Sequence, residues 1–196
     1  MESYDIKKAL PALYAPKPRG FHVVDVPEIA FLMVDGHGDP NVSPAYADAV
    51  AALYTLSYTV RAIAKAELGR VHTVGPLEGL WSADDPSVFG TREKGAWDWT
   101  MMISQPAWIT LDVVEAAMRK KPVDGVRFAP YAEGRSVQVL HVGPYDDEGP
   151  VLAELHREYL PEHGLVFNGR HHEVYLSDPR RTAPEKLRTI LRQPVR

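Results

Sequence analysis

The sequence contains no cysteine among its 196 residues. Disulfide bonds, thiolate metal ligands and cysteine nucleophiles are therefore excluded. No apolar run approaches the ~20 residues that a membrane-spanning helix requires, and the first residues lack the apolar core of a signal peptide. No basic tract is present and the net charge is −4, so a nucleic-acid-binding surface is not expected. We expect a cytoplasmic protein, a monomer or weak homodimer, whose partner is a small molecule and which binds neither nucleic acid nor membrane.

Several common catalytic patterns are missing as well. The sequence has no Gly-x-Ser-x-Gly elbow, and Gly36-His37-Gly38 lacks the third glycine of a dinucleotide-binding loop, which favours a turn. His171 and His172 are neighbours that point to opposite faces of a predicted strand, and His156 and His163 do not have the close helical spacing of zinc ligands. We therefore expect no cofactor, no metal site and no covalent nucleophile.

What the sequence does contain is a weak internal repeat. Residues 99–106 resemble residues 187–194, and both runs are apolar segments that end in Gln-Pro. Upstream, residues 78–86 resemble residues 173–179, which aligns Glu78 with Glu173. The repeat predicts two copies of one supersecondary unit, packed about a pseudo-twofold axis with a ligand groove at their seam.

Hydrophobic periodicity gives both halves the same order of elements. In the first half we predict strands at 21–26 and 29–34 separated by Pro27, a helix at 44–65 with Ser43 as N-cap, an extended segment at 71–81, a strand at 97–103 and a helix at 111–120. In the second half we predict a strand at 137–142, a turn at 143–146, a helix at 150–162, a strand at 172–176, a helical turn at 182–185 and a strand at 189–192.

These elements predict an α+β fold. It consists of duplicated strand–helix–strand–strand modules with pseudo-twofold symmetry, in which antiparallel sheets carry their helices on one face. With 45% hydrophobic and 24% charged residues, the length suits a single domain over residues 1–196. We divide it into a polar lead-in at 1–20, a first module at 21–121 and a second module at 122–196.

Glu173 is the first candidate site residue. In an alternating strand it shares a face with His171 and Tyr175. A carboxylate among aromatic rings in a partly dry cleft binds a cation, or acts as a general base if burial raises its pKa. A solvent-exposed Glu on an edge strand is the alternative. The repeat makes this alternative weaker, because Glu78 takes the matching place in the other half and is predicted to contribute to the same pocket.

Aromatic side chains are the second candidate, because Trp and Tyr faces attract cations and flat conjugated ligands. Core packing is the alternative for each of them singly. The predicted wall residues and two adaptable methionines are Trp81, Trp99, Tyr54, Tyr58, Tyr145, Tyr175, Met33 and Met101.

Four segments of the sequence resemble the GyrI-like small-molecule-binding family. They are Pro76-Leu77-Glu78-Gly79-Leu80-Trp81, Trp97-Asp98-Trp99-Thr100, His141-Val142-Gly143-Pro144-Tyr145 and His171-His172-Glu173-Val174-Tyr175-Leu176. The resemblance covers nearly the whole chain. It is strongest to a stand-alone subgroup that includes hydrolases of cyclopropane-bearing DNA alkylators.

The resemblance implies two symmetry-related modules with a groove between them that holds bulky, flat, often cationic compounds. It implies that Glu173 is the acid of that pocket. Many relatives have a second Trp directly after the residue that matches Trp81, where this sequence has Ser82, so a smaller or differently shaped aromatic cage is expected.

Two functions, and a weaker third, follow from these residues. In the first, the protein is a detoxifying hydrolase in which Glu173 orients or deprotonates a water and the Tyr145 hydroxyl holds the water or a carbonyl oxygen. In the second, the same pocket sequesters hydrophobic cations, with Glu173 as counter-charge. The third is a module that modulates a topoisomerase.

Overall fold

The fold is α+β, as the periodicity predicts. The computed structural model describes residues 3–18, 20–84 and 93–196. The strands are β1 (Ser3–Tyr4), β2 (His22–His37), β3 (Val71–His72), β4 (Leu77–Ser82), β5 (Asp98–Gln105), β6 (Arg127–Val142), β7 (His171–Tyr175) and β8 (Arg188–Pro194). The helices are α1 (Ile6–Ala9), α2 (Pro11–Tyr14), α3 (Pro44–Glu67), α4 (Leu111–Lys120), α5 (Gly149–Glu154) and α6 (Leu160–Glu162), with a π-helical turn (Leu155–Tyr159) joining α5 to α6.

Six strands form one closed antiparallel sheet in the order β2-β5-β4-β7-β8-β6. Each half of the chain supplies a long strand, a helix and two further strands, and the pairing order within the halves is the same. From the repeat we further predict that residues 28–106 superpose on residues 135–194, with both helices and most strands aligned. The end of the upstream repeat, Asp85-Pro86, lies outside the described residues.

The first long strand differs from the prediction. The two strands predicted at 21–26 and 29–34 are one strand, β2, which begins at His22 and continues through Pro27. Among the described strands, β6 alone pairs with β2 from His22 to Ile29. Val26 and Glu28 both have partners in β6, and Pro27 lies between them. Pro27 therefore stands on a free edge, where its missing N–H breaks no second ladder.

Helix α3 covers the outer face of the closed sheet. It begins with Pro44 at the first turn as predicted, while the Ser43 hydroxyl makes no capping hydrogen bond. Its buried face, which includes Leu53, Leu56 and Val60, packs with α4 and with outward-facing residues of the sheet in one apolar cluster. A second apolar cluster fills the inside of the closed sheet, and β2, β4 and β5 contribute buried side chains to both clusters.

The N-terminal segment is more buried than a polar lead-in would be. β1 pairs with β3, and α1 and α2 send Ile6, Leu13 and Tyr14 into the cluster inside the sheet. Pro11 does not end the ordered structure, because it occupies the first turn of α2, where no helical N–H is lost.

In the second half, the predicted helix at 150–162 is α5, the π-helical turn and α6 in succession. The turn predicted at 182–185 is a 3₁₀ helix, Pro184–Lys186. Among the described residues, no helix combines the length and apolar character needed to cross a bilayer.

Candidate functional site

A cleft of about 1680 Å³ lies on the outer face of β4 and β7 and is bounded by α3 and by the turn before α5. Six of the predicted site residues line it. They are Tyr54, Tyr58, Trp81, Tyr145, Glu173 and Tyr175. A volume of this size accommodates a drug-sized or larger ligand.

Strand register brings the central three residues together. In the antiparallel pair of β4 and β7, Gly79 lies opposite Glu173, and strand alternation places Trp81 and Tyr175 on the same face as this pair. The Trp81 Nε1–H donates to the Tyr175 hydroxyl oxygen at 3.1 Å, and that hydroxyl donates to Glu173 Oε2 at 2.7 Å. Glu173, whose side chain is 14% exposed, is thereby held in position by an aromatic hydroxyl.

Further rings extend this arrangement into an aromatic wall. Tyr46 stacks on Trp81 with ring centroids 6.4 Å apart, and Trp97 meets the other side of that indole edge-on at 5.7 Å. Tyr145 meets Tyr175 edge-on at 5.7 Å. Tyr46 and Trp97 were not among the predicted site residues. Tyr46 lies on the apolar stripe of α3, and that spacing alone does not separate a core residue from a wall residue.

A second carboxyl group, Glu148, lies in the cleft and was also not predicted. It is 6% exposed, and its buried Oε1 atom has no hydrogen-bond partner among the described residues. Burial, followed by the nearby charge of Glu173, raises the pKa of Glu148 from 4.5 to about 9; the Thr189 hydroxyl and Lys94 oppose this rise. The N-terminus of α5 also favours the ionised form, by about 0.3–1 kcal/mol, which moves a pKa by less than one unit. Glu148 is therefore neutral at pH 7.

The Tyr145 hydroxyl is a proton donor at neutral pH as well. Burial and the neighbouring Glu148 and Glu173 raise its pKa to about 12. Tyr145 begins the 3₁₀ turn (Tyr145–Asp147), and Glu148 follows it directly. The turn therefore presents two proton donors, the Tyr145 hydroxyl and the Glu148 carboxyl group, to the cleft.

Two histidines flank the acids. His171 Nε2 lies 3.4 Å from Glu173 Oε1, and the two side chains share the outward face of β7, as the alternation predicts. His156 also lines the cleft, and burial together with His171 lowers its pKa to about 4. Within the part of the chain that the structure describes, no group of three or more His, Asp or Glu side chains is arranged to hold a metal ion.

Four predicted site residues do not line the cleft. Trp99 is buried beneath it, with its ring packed over Gly36, and Met101 lies under Gly79. Met33 and Glu78 point into the closed sheet. Strand alternation turns the Met33 and Glu78 side chains to the inside of the closed sheet, and burial keeps the Trp99 and Met101 side chains off the cleft surface.

The placement of Glu78 corrects the repeat alignment by one residue. Glu78 pairs with Met102, and the Gln-Pro alignment makes Ile190 the counterpart of Met102. Ile190 pairs with Val174, so Val174 and not Glu173 is the counterpart of Glu78. A shift of one residue moves a side chain to the opposite face of the sheet. For this reason Glu173 reaches the cleft and Glu78 does not.

Inside the sheet, Glu78 belongs to a buried charge network. His172 lies between two carboxylates, with Nε2 3.0 Å from Glu78 Oε2 and Nδ1 2.9 Å from Glu133 Oε2. The Tyr14 hydroxyl donates to Glu78 Oε1 at 2.9 Å, and Arg192 donates to Glu133 at 3.2 Å. Two acids, one arginine and a protonated histidine balance each other there.

Comparison with known proteins shows which proteins this chain is similar to. The GyrI-like small molecule binding domain model matches residues 21–196. A conserved protein from Listeria innocua of no stated function is 40% identical, with 99% of this chain and all of that chain covered and a TM-score of 0.89. A hydrolase from Listeria innocua is 38% identical over the full length of both chains, with a TM-score of 0.87.

More distant structures share the fold alone. The C-terminal domain of EcmrR is 14% identical, with 90% of this chain and 97% of that chain covered and a TM-score of 0.55. No curated protein shows significant similarity to this chain.

Proposed function

This chain belongs to the GyrI-like small-molecule-binding family. We propose that its cleft binds bulky, flat, hydrophobic molecules. We propose further that it hydrolyses DNA-alkylating toxins that carry a cyclopropane conjugated to a carbonyl group. The observation that carries the proposal is Glu173, a carboxylate fixed by Tyr175 on the wall of a large aromatic cleft. The hydrolase from Listeria innocua, 38% identical over its full length, supports a hydrolytic reaction.

The chemistry needs a flat substrate, little bulk water and one positioned water molecule. A strained cyclopropane beside a carbonyl is already electrophilic, so positioning supplies much of the rate. In the proposed complex Trp81, Tyr46 and Tyr54 hold the rings of the substrate. Glu173 accepts a proton from the attacking water, and a general base of this kind contributes about 10²–10⁴-fold. Tyr145, a donor at neutral pH, hydrogen-bonds the water or the carbonyl oxygen.

Sequestration without turnover is the second candidate function. It is favoured by the aromatic wall around Glu173, since Trp81, Tyr175 and the carboxylate together form a site for a hydrophobic cation. Here Glu173 is a counter-charge and no water needs to be activated.

The variant Glu173→Gln separates the two functions, because it keeps the size of the side chain and removes its charge and basicity. If Glu173 is the base, turnover of an uncharged cyclopropane-bearing alkylator falls by ~10²-fold or more while its binding changes little. If Glu173 is a counter-charge, affinity for a cationic dye falls instead. The measurements are formation of the ring-opened, water-added product and dye affinity, side by side.

Glu28→Gln is the matched control, because Glu28 is an exposed acid on a strand outside the cleft. Neither property should change in this control. Wild-type protein that forms no ring-opened product would contradict the hydrolase. Unchanged turnover together with unchanged dye affinity in Glu173→Gln would contradict both roles of Glu173.

A further inference from the structure

We propose that Glu148 is the general acid of this cleft, which delivers a proton to an oxygen atom of the bound substrate while Glu173 accepts a proton from the attacking water. The inference rests on the proposed hydrolytic function and assigns a second acid to it. It also narrows the substrate class to uncharged flat molecules with an oxygen acceptor conjugated to the strained ring.

Glu148 is built into the cleft wall. Its backbone N–H donates to the Tyr145 carbonyl at 3.3 Å, and its own carbonyl accepts from Leu152 N–H at 3.0 Å, which anchors the residue between the 3₁₀ turn and α5. The side chain is buried, yet it lines the cleft, and no residue in the described part of the chain is a hydrogen-bond partner of its Oε1 atom. A buried polar atom left unpaired beside a binding cleft is a group that a ligand can satisfy.

The charges around Glu148 favour its neutral form. Glu173 faces it from β7 and Asp146 from the adjacent turn, and both disfavour a further negative charge. Tyr145 and Tyr175 lie near it, and burial and the surrounding acids raise the pKa of both hydroxyls, so they add no charge. Thr189 from β8 and Lys94 favour the ionised form and are outweighed. His171 contacts the other acid, Glu173.

Two neighbouring acids with different protonation states are the arrangement that acid–base catalysis requires. When one carboxylate carries the charge of the pair, the second keeps its proton because like charges at short range cannot both form cheaply. The Tyr175 hydroxyl donates to Glu173, and a hydrogen bond to a carboxylate favours its charged form. Among the described residues no donor reaches Glu148 Oε1, which favours the protonated form of that acid.

The proposed step balances as follows. The oxygen of water forms a bond to a cyclopropane carbon, and the carbon–carbon bond of the strained ring breaks. The electron pair of that bond moves through the conjugated system to the carbonyl oxygen, which takes the proton of Glu148 and becomes a hydroxyl group. The proton of the water passes to Glu173. A proton then returns from Glu173 to Glu148 through solvent, so both side chains regain their starting protonation states. The net reaction is addition of one water molecule to the substrate.

The kinetic test uses Glu148→Gln, which keeps a hydrogen-bond donor but has no proton to transfer. We expect kcat for a cyclopropane-bearing alkylator to fall by ~10²-fold or more with KM little changed. We also expect the wild-type rate to decline above about pH 9, as Glu148 ionises, and this decline to be absent from the residual activity of the variant. Glu154→Gln, at an exposed position in α5, is the matched control. Glu148 is not the general acid if Glu148→Gln keeps the kcat of the wild type. The same conclusion follows if the rate of the variant still declines above about pH 9.

A spectroscopic readout tests Glu148 independently of turnover. In infrared difference spectra at pH 7 we expect the carbonyl stretch of a buried protonated carboxyl group, present in wild type and Glu154→Gln and absent in Glu148→Gln. A flat aryl ketone without a cyclopropane should shift this band, because the ketone oxygen accepts its proton. If the wild type shows no turnover but the ketone still shifts the band, the hydrolase proposal is contradicted and the proton-donor role of Glu148 is not. A missing band, or one that the ketone does not shift, overturns the role of Glu148.

Discussion

At the scale of single residues, Gly79 controls where the Trp81 indole lies. A Cβ atom at this position would stand 2.9 Å from Trp81 Nε1 and 3.2 Å from the sulfur of Met101. The absence of a side chain lets the indole fold across the strand and reach the Tyr175 hydroxyl. The glycine opposite Glu173 is thus a condition for the chain of hydrogen bonds from Trp81 to the acid.

The substitution Gly79→Ala should disturb this arrangement. Forcing an extra carbon into a tightly packed position typically costs about 1–3 kcal/mol of free energy. Because the Trp81 indole is displaced, part of this cost appears as weaker ligand binding. We expect affinity for a flat cationic dye to fall by about tenfold or more, measured by fluorescence titration. Gly95→Ala is the control, since no atom of the described residues lies within 4 Å of its added Cβ. Equal dye affinity in the two variants would contradict the role given to Gly79.

At the scale of elements, the N-terminal helices complete the interior of the closed sheet. The Tyr14 hydroxyl reaches Glu78, and Arg192 donates to the Leu13 carbonyl at 2.8 Å. Although the family model begins at residue 21, this earlier segment supplies both apolar packing and hydrogen bonds to the core.

We therefore expect Leu13→Ala to destabilise the whole domain. Leu13 is 4% exposed, and removal of a buried leucine side chain costs ~2–5 kcal/mol. Leu111→Ala, at a position 55% exposed, should change the free energy of unfolding by less than about 0.5 kcal/mol. Chemical denaturation of both variants measures the difference. A small effect of Leu13→Ala would mean that the segment only covers the sheet end and does not stabilise it.

At the scale of the whole molecule, the buried charge network links strands from both halves of the chain. Glu78 comes from β4, Glu133 from β6 and His172 from β7, and all three meet inside the closed sheet. Burial by itself lowers the pKa of His172, but the carboxylates outweigh it and raise the pKa from 6.5 to about 8. The folded state therefore binds this proton more tightly than the unfolded chain does.

This network predicts a pH dependence of stability. The contribution of His172 is complete below about pH 6.5 and is lost as the pH rises through about 8. It amounts to ~2 kcal/mol, because one pKa unit corresponds to about 1.4 kcal/mol. Urea denaturation between pH 6 and 9 should show this decline in wild type and in His163→Gln, an exposed control. The decline should be absent from His172→Gln, and its persistence there would assign it to other groups.

The sequence alone determined the features that depend on local periodicity. Apolar spacing places α3 and α4, and period-two alternation places Glu173 and Tyr175 on one face of β7, because both effects are set within a single element. The resemblance of four sequence segments indicated the family, and the model match over residues 21–196 confirms it.

The tertiary structure decided which faces meet. Register between strands sends Glu78 to the interior and Glu173 to the cleft, and no local pattern specifies a shift of one residue between distant segments. Glu148 lies in an acidic turn that reads as exposed, and only the packing of that turn against β7 and β8 buries it. Its neutral state at pH 7 follows from burial and from a neighbouring charge, both of which exist only once the chain has folded.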